Sequence, residues 1–215
     1  MNTNIFRKMS YGVYVVSTMD GDRPTGCIAN SIMQITSSPA TVAVSMNHEN
    51  YTNSCIEKSG MFAFSILSEQ SDPGLIGTFG FQSGKDAEKF ADVEFEMAAQ
   101  VPVVKDSCGY VVCRVTDKME TSTHTVFLGE VVEAEAYRED ARPMTYAYYH
   151  QVIKGKSPKN APTYLQEEPE KEEGKKKTVW VCSVCGYEYE GETLPEGFVC
   201  PVCKQGADKF RKVEK

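Results

Sequence analysis

Residues 182–203 read Cys182-Ser-Val-Cys185-Gly186-Tyr187-Glu-Tyr189-Glu-Gly-Glu-Thr-Leu-Pro195-Glu-Gly-Phe198-Val-Cys200-Pro-Val-Cys203. Two Cys-x-x-Cys pairs, each in its own tight turn, bring four soft thiolates to the corners of a tetrahedron. That donor set suits iron or zinc. Gly186 follows the first pair, where a residue without Cβ lets the backbone curl and aim amide N–H groups at the sulfurs. Trp180, Tyr187, Tyr189, Phe198 and Phe210 surround the pairs. So short a segment cannot bury a large apolar core, and a bound metal supplies the missing stability. Two disulfides are the poorer reading, because the spacing fits a metal site and no segment marks the chain as secreted.

Immediately upstream, residues 166–177 read Gln-Glu-Glu-Pro-Glu-Lys-Glu-Glu-Gly-Lys-Lys-Lys, without one apolar side chain. Such a stretch has nothing to bury and is expected to be a flexible linker. It would reach about 40 Å extended and about 20 Å as a coil. The chain therefore divides into residues 1–165, the linker 166–177, and a metal module over 178–215.

The first part is long enough for a substantial core of its own. Strand signals dominate it. Residues 11–18 alternate and carry β-branched side chains, and Asp20-Gly21 reads as the turn that follows. Further strands are expected at 27–36, 41–46, 61–67, 109–116, 125–136 and 144–150, with short helices at 2–9, 51–58, 71–79 and 86–91. Many strands and few helices point to a mainly β barrel or sandwich. No Gly-x-Gly-x-x-Gly occurs, so a Rossmann-type nucleotide site is not indicated.

Small polar residues gather at the expected strand ends: Pro24-Thr-Gly-Cys-Ile-Ala29-Asn30-Ser31, Gln34-Ile-Thr36-Ser-Ser-Pro39, and Ser45-Met-Asn47-His-Glu-Asn50-Tyr-Thr52. The last leads into a helical segment, whose first N–H groups form a natural anion site. Asn50 and Thr52 could equally serve as helix caps.

Net charge is −7, which argues against a nucleic-acid partner. No apolar run reaches membrane-spanning length and no signal core is visible at the start, so a cytoplasmic protein without a membrane partner is expected. Of eight cysteines, Cys27, Cys55, Cys108 and Cys113 lie among apolar residues and read as small buried side chains.

Cys-x-x-Cys-Gly-Tyr-x-Tyr, Pro195-Glu-Gly-Phe198-Val-Cys-Pro-x-Cys and Phe210 resemble rubredoxin. The resemblance implies one iron, cycling between ferric and ferrous, held by Cys182, Cys185, Cys200 and Cys203. The short segment between the pairs is closer to the domain at the end of rubrerythrins. Lys204 stands where many rubredoxins carry glycine, which predicts a non-glycine residue at a strained backbone angle.

Residues 1–164 resemble the flavin reductase-like family with its FMN-binding split β-barrel. The likeness rests on Gly26–Ser31, Ser38-Pro39, Asn47-x-x-Asn50-Tyr-Thr52, Ser83-Gly-Lys85-Asp86-x-x-x-Phe90, His124-Thr-Val-Phe-Leu-Gly129-Glu-Val and Ala161-Pro-Thr-Tyr164, in that order. It implies that Ala29, Asn30 and Ser31 line the flavin ring, with Thr36 near the ring or ribityl chain. Asn47, Asn50 and Thr52 would hold the phosphate. Lys85, Asp86 and Phe90 would cover the outer pocket, and His124 would face the nicotinamide of NADH or NADPH.

Fused in this order, the two modules resemble the high-molecular-weight rubredoxins. That implies a homodimeric oxidoreductase passing electrons from NAD(P)H through FMN to iron, and on to a protein acceptor such as a flavodiiron protein reducing nitric oxide or oxygen. Two other schemes use the same modules: a flavoredoxin-like shuttle reduced by another protein, and a free-flavin reductase carrying a zinc ribbon.

Overall fold

Ala29 and Ile32 are close neighbours in sequence, yet they belong to strands at opposite edges of one seven-stranded sheet. A computed structural model describes residues 3–153 and 178–214. The strands are β1 (Tyr14–Asp20), β2 (Arg23–Ala29), β3 (Ile32–Ser37), β4 (Ala40–Asn47), β5 (Met61–Ile66), β8 (Gly109–Glu120) and β9 (His124–Ala136). The hairpin β6 (Phe95–Ala98) and β7 (Val101–Val104) stands apart from that sheet. The sheet is antiparallel, in the order β2-β1-β5-β8-β9-β4-β3.

Laid flat, edges six spacings apart would stand about 29 Å from each other. The link from Ala29 to Ile32 reaches at most about 11 Å. The sheet must therefore curl until its edges meet. The register is staggered to suit. From Ala29 the ladder runs through Tyr14, Ile66 and Gly109 to Ala136, whereas from Ile32 it runs through Val44 to Phe127. Stagger of this kind accompanies closure of a barrel.

Successive side chains on a strand face opposite sides, and β1 divides its residues accordingly. Val16 joins Cys27, Val44, Met46, Ile56, Phe62 and Phe127 in one core cluster, with Tyr14 packed against it. Val13, just before the strand, and Val15 join Leu67, Ile76, Phe79, Phe90 and Met144 in another. Helix α1 (Tyr51–Ser59) packs on β1, and α2 (Gly74–Phe81) packs on β2. The β6–β7 hairpin is pinned by Ser17 Oγ, which donates to the Pro102 carbonyl, and by Val104 N–H, which donates to Ser65 Oγ at 2.9 Å.

Three expectations change. The strand expected over 27–36 is interrupted at Asn30-Ser31, where the chain crosses between sheet edges. Residues 144–150 form not a strand but the short helix α3 (Tyr146–Gln151), capped by Thr145, whose hydroxyl accepts the Tyr148 N–H at 3.1 Å. Residues 86–91 form successive turns rather than a helix. The Asp20-Gly21 turn is present, with Gly21 at φ +60°. Cys27, Cys55 and Cys113 are buried and Cys108 is half-buried, all four free.

The metal module is a three-stranded sheet, β11 (Glu188–Glu190), β10 (Thr178–Cys182) and β12 (Phe210–Glu214), in that order. The expected linker 166–177, the boundary at 165 and the motif 161–164 lie outside the described residues. No helix among the described residues is long and apolar enough to cross a membrane.

Candidate metal centre and flavin cleft

Cys182 ends β10, Cys185 lies in the turn after it, and Cys200 and Cys203 sit in a second turn closed by Lys204 N–H donating to the Cys200 carbonyl at 2.9 Å. The first turn closes the same way, Gly186 N–H to the Cys182 carbonyl, also at 2.9 Å. Gly186 has φ +74° and Lys204 φ +58°, so the lysine occupies the left-handed geometry its position predicted. The four sulfurs lie within 4.8 Å of one another and are buried. Cys182 Sγ is 3.6 Å from Cys203 Sγ, and Cys185 Sγ is 3.5 Å from Cys200 Sγ. Sulfurs held about 2.3 Å from a central ion stand about 3.8 Å apart in a regular tetrahedron. These separations are therefore close to those of a metal cage and far too long for disulfides.

The backbone prepares the cage for negative charge. Tyr187 N–H points at Cys185 Sγ, the N–H groups of Val202 and Cys203 at Cys200 Sγ, and Gln205 N–H at Cys203 Sγ. Cys200 is held low, first by the hydrogen bond it receives from the Cys185 thiol. Giving that bond, and burial, push Cys185 up; burial also pushes Cys203 up. Four buried thiolates cannot coexist without a cation, which is what a metal ion provides. Phe198 stacks edge-on with Phe210 at 5.2 Å and lies 4.9 Å from Tyr189, closing the apolar wall.

On the barrel, the residues expected around a flavin fall into groups. Asn30 is buried and accepts a bond from Ser31 Oγ at 3.0 Å, and the Ser31 carbonyl accepts Ser45 N–H at 3.0 Å. Ala29, Asn30 and Ser31 thus occupy the seam between the sheet edges, beside the later half of β4. At the end of β4, Asn47 pairs across the ladder with His124, and its carboxamide oxygen accepts Glu49 N–H at 2.8 Å. Asn50 caps α1 by accepting Thr52 N–H at 3.0 Å, and Thr52 is buried. The segment carrying Lys85 and Asp86 reaches the same region: an added Cβ on neighbouring Gly84 would collide with Thr25 Oγ1 and stand 3.3 Å from the Tyr51 ring.

Two expected residues lie elsewhere. Thr36 is exposed at the far end of the β3–β4 hairpin, bonded to Thr41 Oγ1 at 2.6 Å. Phe90 belongs to the core, 5 % exposed, with its ring edge-on to Phe79 and Phe95 at 5.0 Å each.

Three further residues, Thr25, Cys27 and Lys89, lie beside this region. Thr25 Oγ1 and His124 Nε2 are the buried polar side-chain atoms with no partner among the described residues. Cys27 lies within hydrogen-bonding reach of Thr52 and Asn50, and burial holds its thiol up at about 11. Lys89, almost fully buried, donates to the carbonyls of Thr78 and Gln82 at the end of α2, and burial pulls its pKa down to about 8. Thr25 stands within the Pro24–Ser31 polar run and so had a sequence signal. Lys89, one lysine in a charged stretch, had none.

The family "Flavin reductase like domain" matches residues 6–156, and "Rubrerythrin, rubredoxin-like domain" matches 180–211. A "High molecular weight rubredoxin" of Moorella thermoacetica is 34% identical over 99% of this chain and all of its own. A "Ferric-chelate reductase (NAD(P)H)" of Archaeoglobus fulgidus is 39% identical over 77% of this chain and 99% of its own. The solved "Flavin reductase PheA2" superposes with a TM-score of 0.58 at 29% identity, over 67% of this chain and 93% of its own. The chain belongs to the flavin reductase like domain family and carries, after that domain, a rubredoxin-like domain with a four-cysteine site.

Proposed function

We propose that this chain is an NAD(P)H-dependent electron-transfer flavoprotein that carries electrons from nicotinamide, by way of FMN, to an iron held by Cys182, Cys185, Cys200 and Cys203. When bound, FMN accepts a hydride and releases electrons singly, and iron in a four-thiolate shell takes one electron at a time. The residues supply binding and orientation. The amide N–H groups around the sulfurs stabilise thiolate charge, and the apolar wall of Tyr189, Phe198 and Phe210 keeps water from the centre. Ala29, Asn30 and Ser31 offer polar atoms to a flavin ring at the seam. Asn47, Asn50, Thr52 and the start of α1 offer donors to its phosphate, and the unpartnered Thr25 Oγ1 is a further one. Lys85 and Asp86 border the opening. His124 is assigned to the donor side, with its buried Nε2, which has no partner among the described residues, as the ring atom left to hydrogen-bond a bound group.

The observation that carries this reading is the four-sulfur cage, with its inward N–H groups, fused to a flavin reductase domain. Resemblance alone supports a homodimer and a flavodiiron acceptor. The test is metal analysis followed by anaerobic titration with NADH. Bleaching of flavin and ferric–thiolate bands together is expected. Zinc in the cage with flavin bleaching alone, or iron and flavin both unmoved by NADH, overturns the proposal.

A further inference from the structure

Helix α2 is eight residues long and three of them are glycine, Gly74, Gly77 and Gly80. Each glycine in a helix costs about 1 kcal/mol relative to alanine. Two of the three sit against the metal module. A Cβ at Gly77 would stand 2.6 Å from the Val202 carbonyl oxygen and 2.7 Å from Cys203 Cα. One at Gly74 would stand 2.8 Å from Lys204 Cε. The obstruction at Gly77 is backbone, which cannot swing aside. Phe81, one turn further on, packs with Ile153 against the cluster of cysteines. Lys204 Nζ lies 3.3 Å from Asp72 Oδ1, and the same oxygen accepts Gly74 N–H at 2.9 Å. Another side of α2 faces β2, with Gly80 against Ile28 and the Phe79 ring reaching Gly26.

We propose that Gly74, Gly77 and Phe81, with Asp72 as an ionic latch for Lys204, form a built docking face for the chain's own Cys200–Cys203 turn. This deepens the proposed function and rests on it for its purpose. Docked here, the Cys200–Cys203 turn and β2 both pack on α2, a helix about 10 Å across. β2 leads directly to Asn30 and Ser31 at the seam. In this turn Val202 (1 % exposed) and Cys203 (7 %) are covered while Pro201 and Lys204 stay exposed, whereas in the first turn Ser183 and Val184 both face outward. The positive φ of Lys204 also gains a reason, since a glycine there would relax the backbone but forfeit the latch.

The test uses full-length, metal-loaded protein without nicotinamide. Hydrogen exchange over 74–81 and 200–206, and the maximum dimension from solution scattering, report docking. Gly77→Leu is expected to lower protection of these segments by about tenfold or more and to lengthen the particle. Lys204→Gly is expected to do so to a smaller degree while leaving the metal absorption spectrum unchanged. Unaltered exchange and dimension in both variants, or a wild-type chain already extended, overturns the docking face. If Gly77→Leu fails to fold by circular dichroism, Lys204→Gly alone decides. The same measurements stand whether or not NADH reduces the iron, so failure of the electron-transfer reading is seen separately, in wild-type protein that docks but does not bleach.

Discussion

The carboxamide of Asn50 accepts the Thr52 N–H at 3.0 Å, so a residue of the expected phosphate cradle is already engaged in holding α1 together. Cap and cradle can be separated by substitution. Asn50→Ala removes the cap and should cost about 1 kcal/mol of stability. Asn50→Asp keeps the cap and suits the helix dipole, but sets a negative charge where phosphate would bind. Chemical denaturation should show little change for Asn50→Asp, while its FMN dissociation constant should rise about tenfold or more. Unchanged FMN affinity would remove Asn50 from the cradle.

Cys200→Ser takes away the sulfur best supplied with N–H donors. The ferric–thiolate bands should vanish, and the melting of residues 178–214 should fall. Reduction of flavin by NADH, followed at its visible absorption, should stay within about twofold of wild type. Equal loss of both signals would mean that the two centres are not separable steps.

Burial, and after it the nearby His48, lowers the pKa of His124 from 6.5. The folded imidazole then binds fewer protons than the unfolded one between the two values. Stability is therefore lost as pH falls through about 6.5, and the loss levels off below the folded value. His124→Gln should flatten this acid limb when urea midpoints at about pH 7.5 and about pH 5.5 are compared. An equally steep limb in the variant would assign the dependence to other groups.

Lys89 closes the end of α2 from inside the core, and Lys89→Met leaves the Thr78 and Gln82 carbonyls without its ammonium. The loss should be about 1–3 kcal/mol in equilibrium unfolding, larger than for a surface lysine. A neutral result would mean that water or backbone takes over both carbonyls.

Strands such as 41–46 and 61–67 were legible because alternation and β-branched residues coincide there. The cage was legible because its chemistry is local, four sulfurs in two short turns. The failures are tertiary. Tyr146-Ala-Tyr-Tyr-His carries strand-like aromatics, yet Thr145 caps it and Tyr149 is drawn into the core, so it forms a helix. The β6–β7 hairpin turns through Ala99 and Gln100 at φ +41° and +69°, the usual geometry of a two-residue hairpin, but without the Asn-Gly or Asp-Gly that signals it, and it carries Pro102 in a strand. Phe90 could be placed over a pocket or in a core only by knowing that Phe79 and Phe95 stand beside it. Lys89 gained meaning only when α2 ended against it.

The two-residue passage at Asn30-Ser31 does by shortness what no side chain does, drawing the outer strands of a seven-stranded sheet together. Insertions should therefore be tolerated unevenly along the chain. The turns at Gly21-Asp22 and 121–123 join strands already paired, so a few added residues there merely enlarge a loop. The same addition between Ala29 and Ile32 would slacken the drawstring, letting the barrel gape. Across descendants of this gene, that link should keep its length even where its letters change.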